Sequence, residues 1–299
     1  MLNWVCLQGT GFVRKTYLGN SLKPLHRRFV KMTKNWAILC VLAVLGLAFI
    51  QSQSFAAVDS DTAVGVWLFD DGDVSDSSTY GNDGELINGA EVTDGGKWGK
   101  ALSLDGDDDY VNVANSESLD STAEAFTGVA WVKIQRKGDP HGGCCADDHM
   151  VIAFTTNWNN ILNVFGPGRS GNQGKVEVGS RELNPRWLFG PTAVNDDQWH
   201  HLAFTYDGAK KVLYIDGEVD IDQDTTGVFG VAGVDVHLGG TPTQRQALGL
   251  MDEIGIFNVP LEQADIQNIM NDGLGSVLGL TPVTPLGRLT TTWADIKSQ

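Results

Sequence analysis

The densest group of metal-binding and redox-active side chains lies in the segment His141-Gly-Gly-Cys-Cys-Ala-Asp-Asp-His149. Thiolate and imidazole groups are ligands that suit Zn²⁺ or copper. Cys144 and Cys145 are adjacent, however, so both sulfurs do not easily reach the tetrahedral angles around one ion. Three alternatives stay open: a vicinal disulfide, a metal site using His141, Cys144, Cys145 and His149, and free or intermolecular thiols. Because the segment is Gly-rich and joins two expected strands, each alternative makes it a candidate binding loop.

Aromatic, amide and guanidinium groups in two further segments, Trp158–Asn160 and Asn184–Trp187, suggest carbohydrate recognition. An indole ring covers the apolar face of a sugar, while Asn and Arg side chains hydrogen-bond its hydroxyl groups. The candidate ligand-binding residues are Trp158, Asn159, Asn160 and Arg186. The alternative is packing in the core or at its rim, which we favour for Trp187.

The elements that must position these residues have β composition from residue 58 onward. Gly and Asp or Asn turns separate short runs of Val, Ile, Leu and aromatic residues, a pattern typical of a sandwich or barrel. The predicted strands are Ala63–Phe69, Ala101–Leu104, Tyr110–Val113, Phe126–Ile134, Met150–Phe154, Ile161–Phe165, Lys175–Val178, His200–Tyr206, Lys211–Ile215, Val234–Leu238 and Gly249–Phe257. One helix is predicted over Leu261–Met270, where apolar residues recur at helical spacing until Gly273.

Five groups of residues occur in a fixed order. They are Val64–Asp70 with Asp76–Gly84, Gly99–Gly106 with Asp109–Val113, Phe126–Lys133, Trp199–Gly208 with Leu213–Gly217, and Gly249–Asn258. Their order and spacing resemble laminin G-like jelly-roll domains of the concanavalin A-like lectin/glucanase superfamily. The resemblance implies an all-β fold, a two-sheet antiparallel jelly-roll sandwich with one short C-terminal-side helix. It does not select a function, because this fold hosts lectins, adhesion modules, pentraxins and glycosidases.

The resemblance also implies a Ca²⁺ site, since members of this superfamily often hold one calcium at the rim of the sandwich. Asp70, Asp76 and Asp252 lie at matching positions near strand ends, and carboxylate oxygens are calcium ligands. We therefore expect calcium as the cofactor and these three residues as its ligands. The alternative is that Asp76 starts a turn and Asp252 is a structural polar residue. A second, pentraxin-like calcium is not expected, because Gly239–Leu248 contains no carboxylate.

A divergent glycoside hydrolase is the least favoured hypothesis. If Glu218–Asp224 forms a strand, alternation places its four carboxylates on one face, as in the Glu-x-Asp-x-Glu strand of jelly-roll glycosidases. Retaining hydrolysis needs two carboxyls about 5–5.5 Å apart, with Glu218 as the candidate nucleophile here. Asp222 stands where the acid would be Glu and is one methylene shorter. We therefore expect no enzymatic activity.

Residues 1–57 predict a basic leader and signal peptide. Every charged residue before Asp59 is basic, and the apolar run Trp36–Ile50 is followed by small residues. An uncleaved anchor is the alternative, although the run is short for a membrane span of about 20 residues. Met32 begins an ordinary signal peptide, so residues 1–31 are a candidate untranslated extension. The predicted organisation is a leader at 1–57, a laminin G-like sandwich at 58–280 and a C-terminal tail at 281–299.

Charge excludes two classes of partner. Seven of the 21 cations and none of the 37 acidic groups precede residue 58, so the remaining chain, with 14 cations, has a formal net charge of −23. Such a charge repels nucleic acids and anionic membrane surfaces. We expect a secreted, periplasmic or cell-surface binding module that recognises carbohydrate or glycoprotein. A protein–protein adhesion or surface component without sugar affinity is the alternative, and the partner is then an extracellular protein.

Overall fold

The computed structural model describes residues 58–136, 148–154, 159–164, 172–243 and 245–280. The predicted leader at 1–57 and tail at 281–299 lie outside these residues. The strands are β1 (Ala63–Trp67), β2 (Gly84–Ile87), β3 (Glu91–Asp94), β4 (Lys100–Asp105), β5 (Tyr110–Val113), β6 (Phe126–Ile134), β7 (His149–Phe154), β8 (Asn159–Val164), β9 (Lys175–Gly179), β10 (Trp187–Ala193), β11 (His200–Tyr206), β12 (Lys210–Ile215), β13 (Glu218–Asp224), β14 (Val236–Leu238) and β15 (Leu248–Phe257).

These strands form two antiparallel sheets, which confirms the predicted sandwich. The eight-stranded sheet has the order β13-β12-β11-β6-β15-β4-β3, with β1 pairing to β15. The seven-stranded sheet has the order β10-β9-β8-β7-β14-β5-β2. Strand β15 pairs with β4 through its first half, with β1 through its second half, and with β6 along both. The beginning and end of the domain are therefore joined in the middle of one sheet.

The core lies between the sheets and is dominated by aromatic and branched side chains. Phe126 makes edge-to-face contacts with Phe204 and Phe229, whose ring centroids lie 5.3 and 4.5 Å away. Tyr206 joins this cluster, and its hydroxyl donates a 2.6 Å hydrogen bond to the carbonyl oxygen of Gly227. Such ring pairs add about 0.5–1.5 kcal/mol beyond the burial of their area. The cluster fixes the β11 end of the sandwich against the segment before β14.

The predicted C-terminal-side helix is confirmed as α2 (Gln263–Asp272), which begins and ends two residues later than expected. Its buried residues Ile266 and Ile269 pack in a second apolar layer with Val129 and Phe257 on the outer face of the eight-stranded sheet. Two one-turn helices also occur, α1 (Glu117–Asp120) and α3 (Leu274–Val277), with 3₁₀ turns at Ser60–Thr62 and Ser121–Ala123. Among the described residues no helix is long and apolar enough to cross a membrane.

Candidate functional site

The two segments predicted to contact ligand meet at one end of the seven-stranded sheet. Asn160 in β8 pairs with Gly179 in β9, and Gly179 pairs with Trp187 in β10. The exposed Arg186 directly precedes β10. Trp158 lies outside the described residues, and Asn159 begins β8 opposite Phe154. The pairing of three strands thus brings together segments that are separate in sequence.

Two aromatic residues of β10 form an exposed surface, here called the aromatic strip: Trp187 and Phe189. They are two residues apart in one strand and therefore share a face. Trp187 lies close against β9 because its partner there is glycine: a methyl group at Gly179 would come within 2.8 Å of Cε3 of the indole. Trp187 is half-buried and Phe189 is 43% exposed. The strip thus rests on the sheet and leaves part of both rings open to a ligand.

A buried polar cluster supports the sheet beside the aromatic strip. Glu177 pairs with Phe189 and with Asn163, whose amide donates a 3.3 Å hydrogen bond to the Glu177 carboxylate. Arg245, from the segment after β14, places Nη1 3.8 Å from Glu177 Oε2 and Nε 3.7 Å from Asp148 Oδ2. All four charged or amide groups are buried, and burial of charge requires such opposite charges nearby. The cluster links β8, β9 and the residue before β7 beside the strip.

Lys211 anchors the loop that carries Arg186. Its side chain is fully buried, and Nζ donates hydrogen bonds to the carbonyl oxygens of Pro185 (2.8 Å) and Arg186 (3.2 Å). Thr225 donates a further hydrogen bond of 3.0 Å to the Pro185 carbonyl. Burial lowers the pKa of Lys211 to about 8. Sequence reasoning missed this residue, because a lysine in a strand next to a Gly turn looks like a solvent-facing residue.

Two of the predicted calcium ligands lie close together. Asp252 on β15 is fully buried and accepts hydrogen bonds from the backbone N–H groups of Trp98 (3.0 Å) and Glu253 (2.8 Å). Burial, with a smaller contribution from the charge of Asp70, raises the pKa of Asp252 and that of Glu253 to about 7. Asp70 accepts a 3.2 Å hydrogen bond from the backbone of Lys100. Three acidic groups therefore share this negative, partly buried centre.

Asp76, the third predicted ligand, is occupied elsewhere. Its Oδ1 accepts hydrogen bonds from the backbone of Val66 and Ser78, and its Oδ2 accepts from Ser78 Oγ and the backbone of Asn82. These four bonds fasten the turn after Asp76 to β1. Within the described ranges the ligand atoms of the three predicted residues do not lie within 4.8 Å of one another as a group. Asp76 therefore acts as a turn residue, which is the alternative stated above.

The described chain has one such close acidic group: Asp105, Asp108 and Asp109. Asp109 is buried, and it accepts hydrogen bonds from the backbone of Gly89 (2.7 Å) and Asp105 (2.9 Å). Desolvation raises its pKa. These bonds fix the turn between β4 and β5 against the end of β2, so the structure explains the group without an ion.

The cysteine-containing loop can be placed only in part. His141, Cys144 and Cys145 lie outside the described residues. His149 is the first residue of β7 and is fully buried, and its Nδ1 accepts a 3.1 Å hydrogen bond from the backbone N–H of Leu248 in the other sheet. An Nδ1 atom that accepts this bond is not available to a metal ion. His149 therefore joins the two sheets.

The expected single row of carboxylates on β13 is not formed. The β12–β13 register shifts between Leu213 and Tyr214, so a bulge interrupts the alternation of β13. Glu218 accepts hydrogen bonds from the side-chain amides of Gln263 and Gln267 in α2. The other two central carboxylates have separate partners: Asp220 binds Thr192 in the opposite sheet and Asp222 binds Lys210. The strand thus directs its acids to three different neighbours.

Comparison with known proteins gives one family and several solved structures of similar fold. A family profile described as the concanavalin A-like lectin/glucanases superfamily matches residues 105–267. The chain is similar to domain 4 of AbnA, a GH43 extracellular arabinanase from Geobacillus stearothermophilus solved in complex with arabinotriose. The TM-score is 0.54 and the identity 22%, over 70% of this chain and 98% of that one. No curated protein matches the chain.

Two toxin domains share the fold at lower identity. The binding domain of Paraclostridial Mosquitocidal Protein 1 has a TM-score of 0.55 and 13% identity, over 71% of this chain and 52% of that one. The binding domain of botulinum neurotoxin serotype G has a TM-score of 0.53 and 14% identity, over 70% and 50% respectively. The chain thus spans about half of each toxin domain. At these identities the likeness concerns the fold alone.

Proposed function

The chain belongs to the laminin G-like group of the concanavalin A-like lectin/glucanase superfamily, and we propose that it is an exported, non-catalytic carbohydrate-binding module. The observation that carries the proposal is the register Asn160–Gly179–Trp187, which brings the two predicted ligand segments onto neighbouring strands at one end of the seven-stranded sheet. The aromatic strip offers two rings to the C–H faces of sugar residues. Arg186 supplies hydrogen-bond donors at its edge.

The ligand class follows from shape and charge. The strip is open and spans two residues of an extended strand, about 7 Å, so it suits an oligosaccharide better than a single enclosed sugar. The chain from residue 58 has a formal net charge of −23 (14 cations against 37 acidic groups), which repels anionic polysaccharides. A neutral oligosaccharide is therefore the proposed ligand. Arabinotriose, with which the arabinanase domain of similar fold was solved in complex, is the natural first probe.

The proposed lack of catalysis is supported by β13, whose carboxyls do not form the row that the glycosidase alternative needs. The Glu218 carboxylate is engaged by Gln263 and Gln267, and the bulge in β13 separates it from Asp220 and Asp222. Hydrolysis of β-glucans or arabinans by the wild-type protein that is lost in Glu218→Gln would contradict this part of the proposal.

Isothermal titration with arabinotriose and a panel of neutral oligosaccharides tests the binding function. We expect Trp187→Ala to weaken binding at least tenfold, or about 1.4 kcal/mol, because the stacking surface is removed. The matched control is Tyr80→Ala, which removes a 44% exposed aromatic ring outside the strip and should leave affinity unchanged. Absence of binding to every glycan by the wild-type protein would favour the protein–protein adhesion alternative instead.

We propose further that calcium stabilises the module at Asp70 and Asp252, with Glu253 adding charge. The residues offer oxygen ligands to a hard cation: within the described residues Asp70 accepts one hydrogen bond and Asp252 accepts two, which leaves lone pairs on both carboxylates. Asp252 and Glu253 are both buried. A bound divalent ion would offset the burial and the neighbouring negative charge that raise the pKa of Asp252 and Glu253.

Thermal unfolding with Ca²⁺ or EDTA tests the calcium proposal. We expect Ca²⁺ to raise the melting temperature of the wild-type protein and Asp252→Asn to abolish the increase. Asp76→Asn is the control, because it loses turn hydrogen bonds and stability but should keep the response to Ca²⁺. An identical melting temperature with Ca²⁺ and with EDTA would rule out a structural calcium.

A further inference from the structure

The outer face of the eight-stranded sheet contains a groove of about 250 Å³ that the function above does not use. It lies where β4, β15 and β6 adjoin, because Ser103 pairs with Leu250 and Leu250 pairs with Lys133. Gln135, just after β6, and Asp197, before β11, complete the lining. The residues of these strands that pack on α2 lie toward their other ends. The groove therefore occupies the part of this face that the helix leaves open.

The polar groups of the groove have no partner in the described part of the protein. The side chains of Ser103, Lys133, Gln135 and Asp197 form no hydrogen bond or ion pair with any described residue. Lys133 and Asp197 have opposite charges but lie more than 4.0 Å apart, since they form no ion pair. The half-buried Leu250 gives the floor an apolar surface. Donors and acceptors thus line the groove around an apolar residue without bonding to one another.

The chemistry of the two charged groups restricts the ligand. The Lys133 ammonium only donates hydrogen bonds, and the ionised Asp197 carboxylate only accepts them. An anionic ligand would be repelled by Asp197, and a cationic ligand by Lys133. A hydroxyl group both donates and accepts, so neighbouring hydroxyls satisfy both side chains at once. We propose that this groove binds one ring of a neutral sugar, with its C–H face on Leu250.

Size and surroundings support a single ring. At about 250 Å³ the groove is smaller than the roughly 300–1,000 Å³ of sites for drug-sized ligands. Trp199 directly precedes His200, which pairs with Val132 next to Lys133. The half-buried Trp199 is also two residues from Asp197 of the groove, so its fluorescence is one probe of binding there.

This second site lies on the other sheet from the aromatic strip, and the inference goes beyond the proposed function. The two sites would let one molecule hold two sugar chains, so that avidity would exceed either single affinity.

Saturation-transfer NMR and tryptophan fluorescence with D-galactose, D-glucose, D-xylose and L-arabinose at millimolar concentrations test the groove. The test variant is Lys133→Met/Asp197→Asn, which removes both charges; Asn tolerates the positive φ of 62° at Asp197. The matched control is Trp187→Ala, which alters the aromatic strip only. Circular dichroism confirms that each variant is folded.

We expect at least one monosaccharide to bind saturably to the wild-type protein and to Trp187→Ala, and to lose at least tenfold in affinity in the double variant. Undiminished binding by the double variant overturns the inference. Loss of monosaccharide binding in Trp187→Ala assigns it to the strip, and then the proposed function stands while the groove is refuted. Binding of oligosaccharides without any monosaccharide binding also refutes the groove. Absence of all sugar binding refutes both.

Discussion

In both sheets the residues of each strand alternate between the core and the outer face, but the two outer faces are covered differently. On the eight-stranded sheet, α2 lays Ile266 and Ile269 over Val129 and Phe257, which closes one end with apolar contacts. On the seven-stranded sheet, the corresponding face carries the half-buried Trp187, and Phe189 is 43% exposed beside a buried polar cluster. The difference teaches that the helix-covered end of one face stabilises the fold, while the aromatic strip on the other face is left free for a ligand.

Removing the covering of the closed face should have the largest effect. Ile269→Ala deletes a fully buried side chain beneath α2 and should lower the free energy of unfolding by about 2–5 kcal/mol. The exposed Asn271→Ala on the same helix is the control and should change it by less than about 0.5 kcal/mol. Urea denaturation measures both. A small effect of Ile269→Ala would show that α2 is not needed to close the face.

A buried histidine on the closed face predicts that the stability of the protein depends on pH. His201 is fully buried beside Trp131, and neither ring nitrogen has a hydrogen-bond partner among the described residues. Burial lowers its pKa from 6.5 to about 3, so between these values the unfolded chain binds a proton that the folded chain does not. Stability should therefore fall as the pH drops below 6.5, by about 1.4 kcal/mol per pH unit from this residue.

His201→Phe isolates that contribution, because it keeps a ring against Trp131 but cannot bind a proton. Urea midpoints of the wild-type protein and the variant, measured from neutral to acidic pH, should converge toward or cross each other as the pH falls. Parallel curves would mean that His201 is protonated in the folded state.

Ligand binding on the open face is expected to depend on Lys211, because Lys211 holds the loop that carries Arg186. Lys211→Met removes the ammonium that holds the Pro185 and Arg186 carbonyl groups, so oligosaccharide affinity should fall several-fold. The pKa of about 8 in the folded state lies below the unfolded value of 10.5, so wild-type stability should rise between pH 8 and 10.5. The variant should lack this rise in urea denaturation. If affinity is unchanged, the loop position does not govern binding.

The smallest effect on stability is expected within the aromatic strip. Because Phe189 is 43% exposed, Phe189→Ser should change the free energy of unfolding by less than about 0.5 kcal/mol. Oligosaccharide affinity, measured by titration calorimetry, should nevertheless fall. A large loss of stability would instead place Phe189 among the residues that hold the sandwich together.

All interior strands of both sheets were predictable, and the missed strands lie at the edges. The sheet orders begin or end with β2, β3, β10 and β13, none of which was among the predicted strands. Strands β2 and β3 are short and contain no buried residue. Most residues of β10 and β13 are exposed. An edge strand has a partner on one side only and often carries polar residues, so its hydrophobic pattern is weak.

The sequence alone determined the sandwich, its late helix and the segments with ligand chemistry, because buried strands need runs of apolar residues that periodicity reveals. Only the tertiary structure decided which of those residues meet. Strand pairing places Asn160 and Trp187 on either side of Gly179. Hydrogen bonds hold Asp76 in a turn and bind the buried His149 to the opposite sheet. The physical reason is that strand register and bulges are set by long-range pairing, and a shift of one residue moves a side chain to the opposite face.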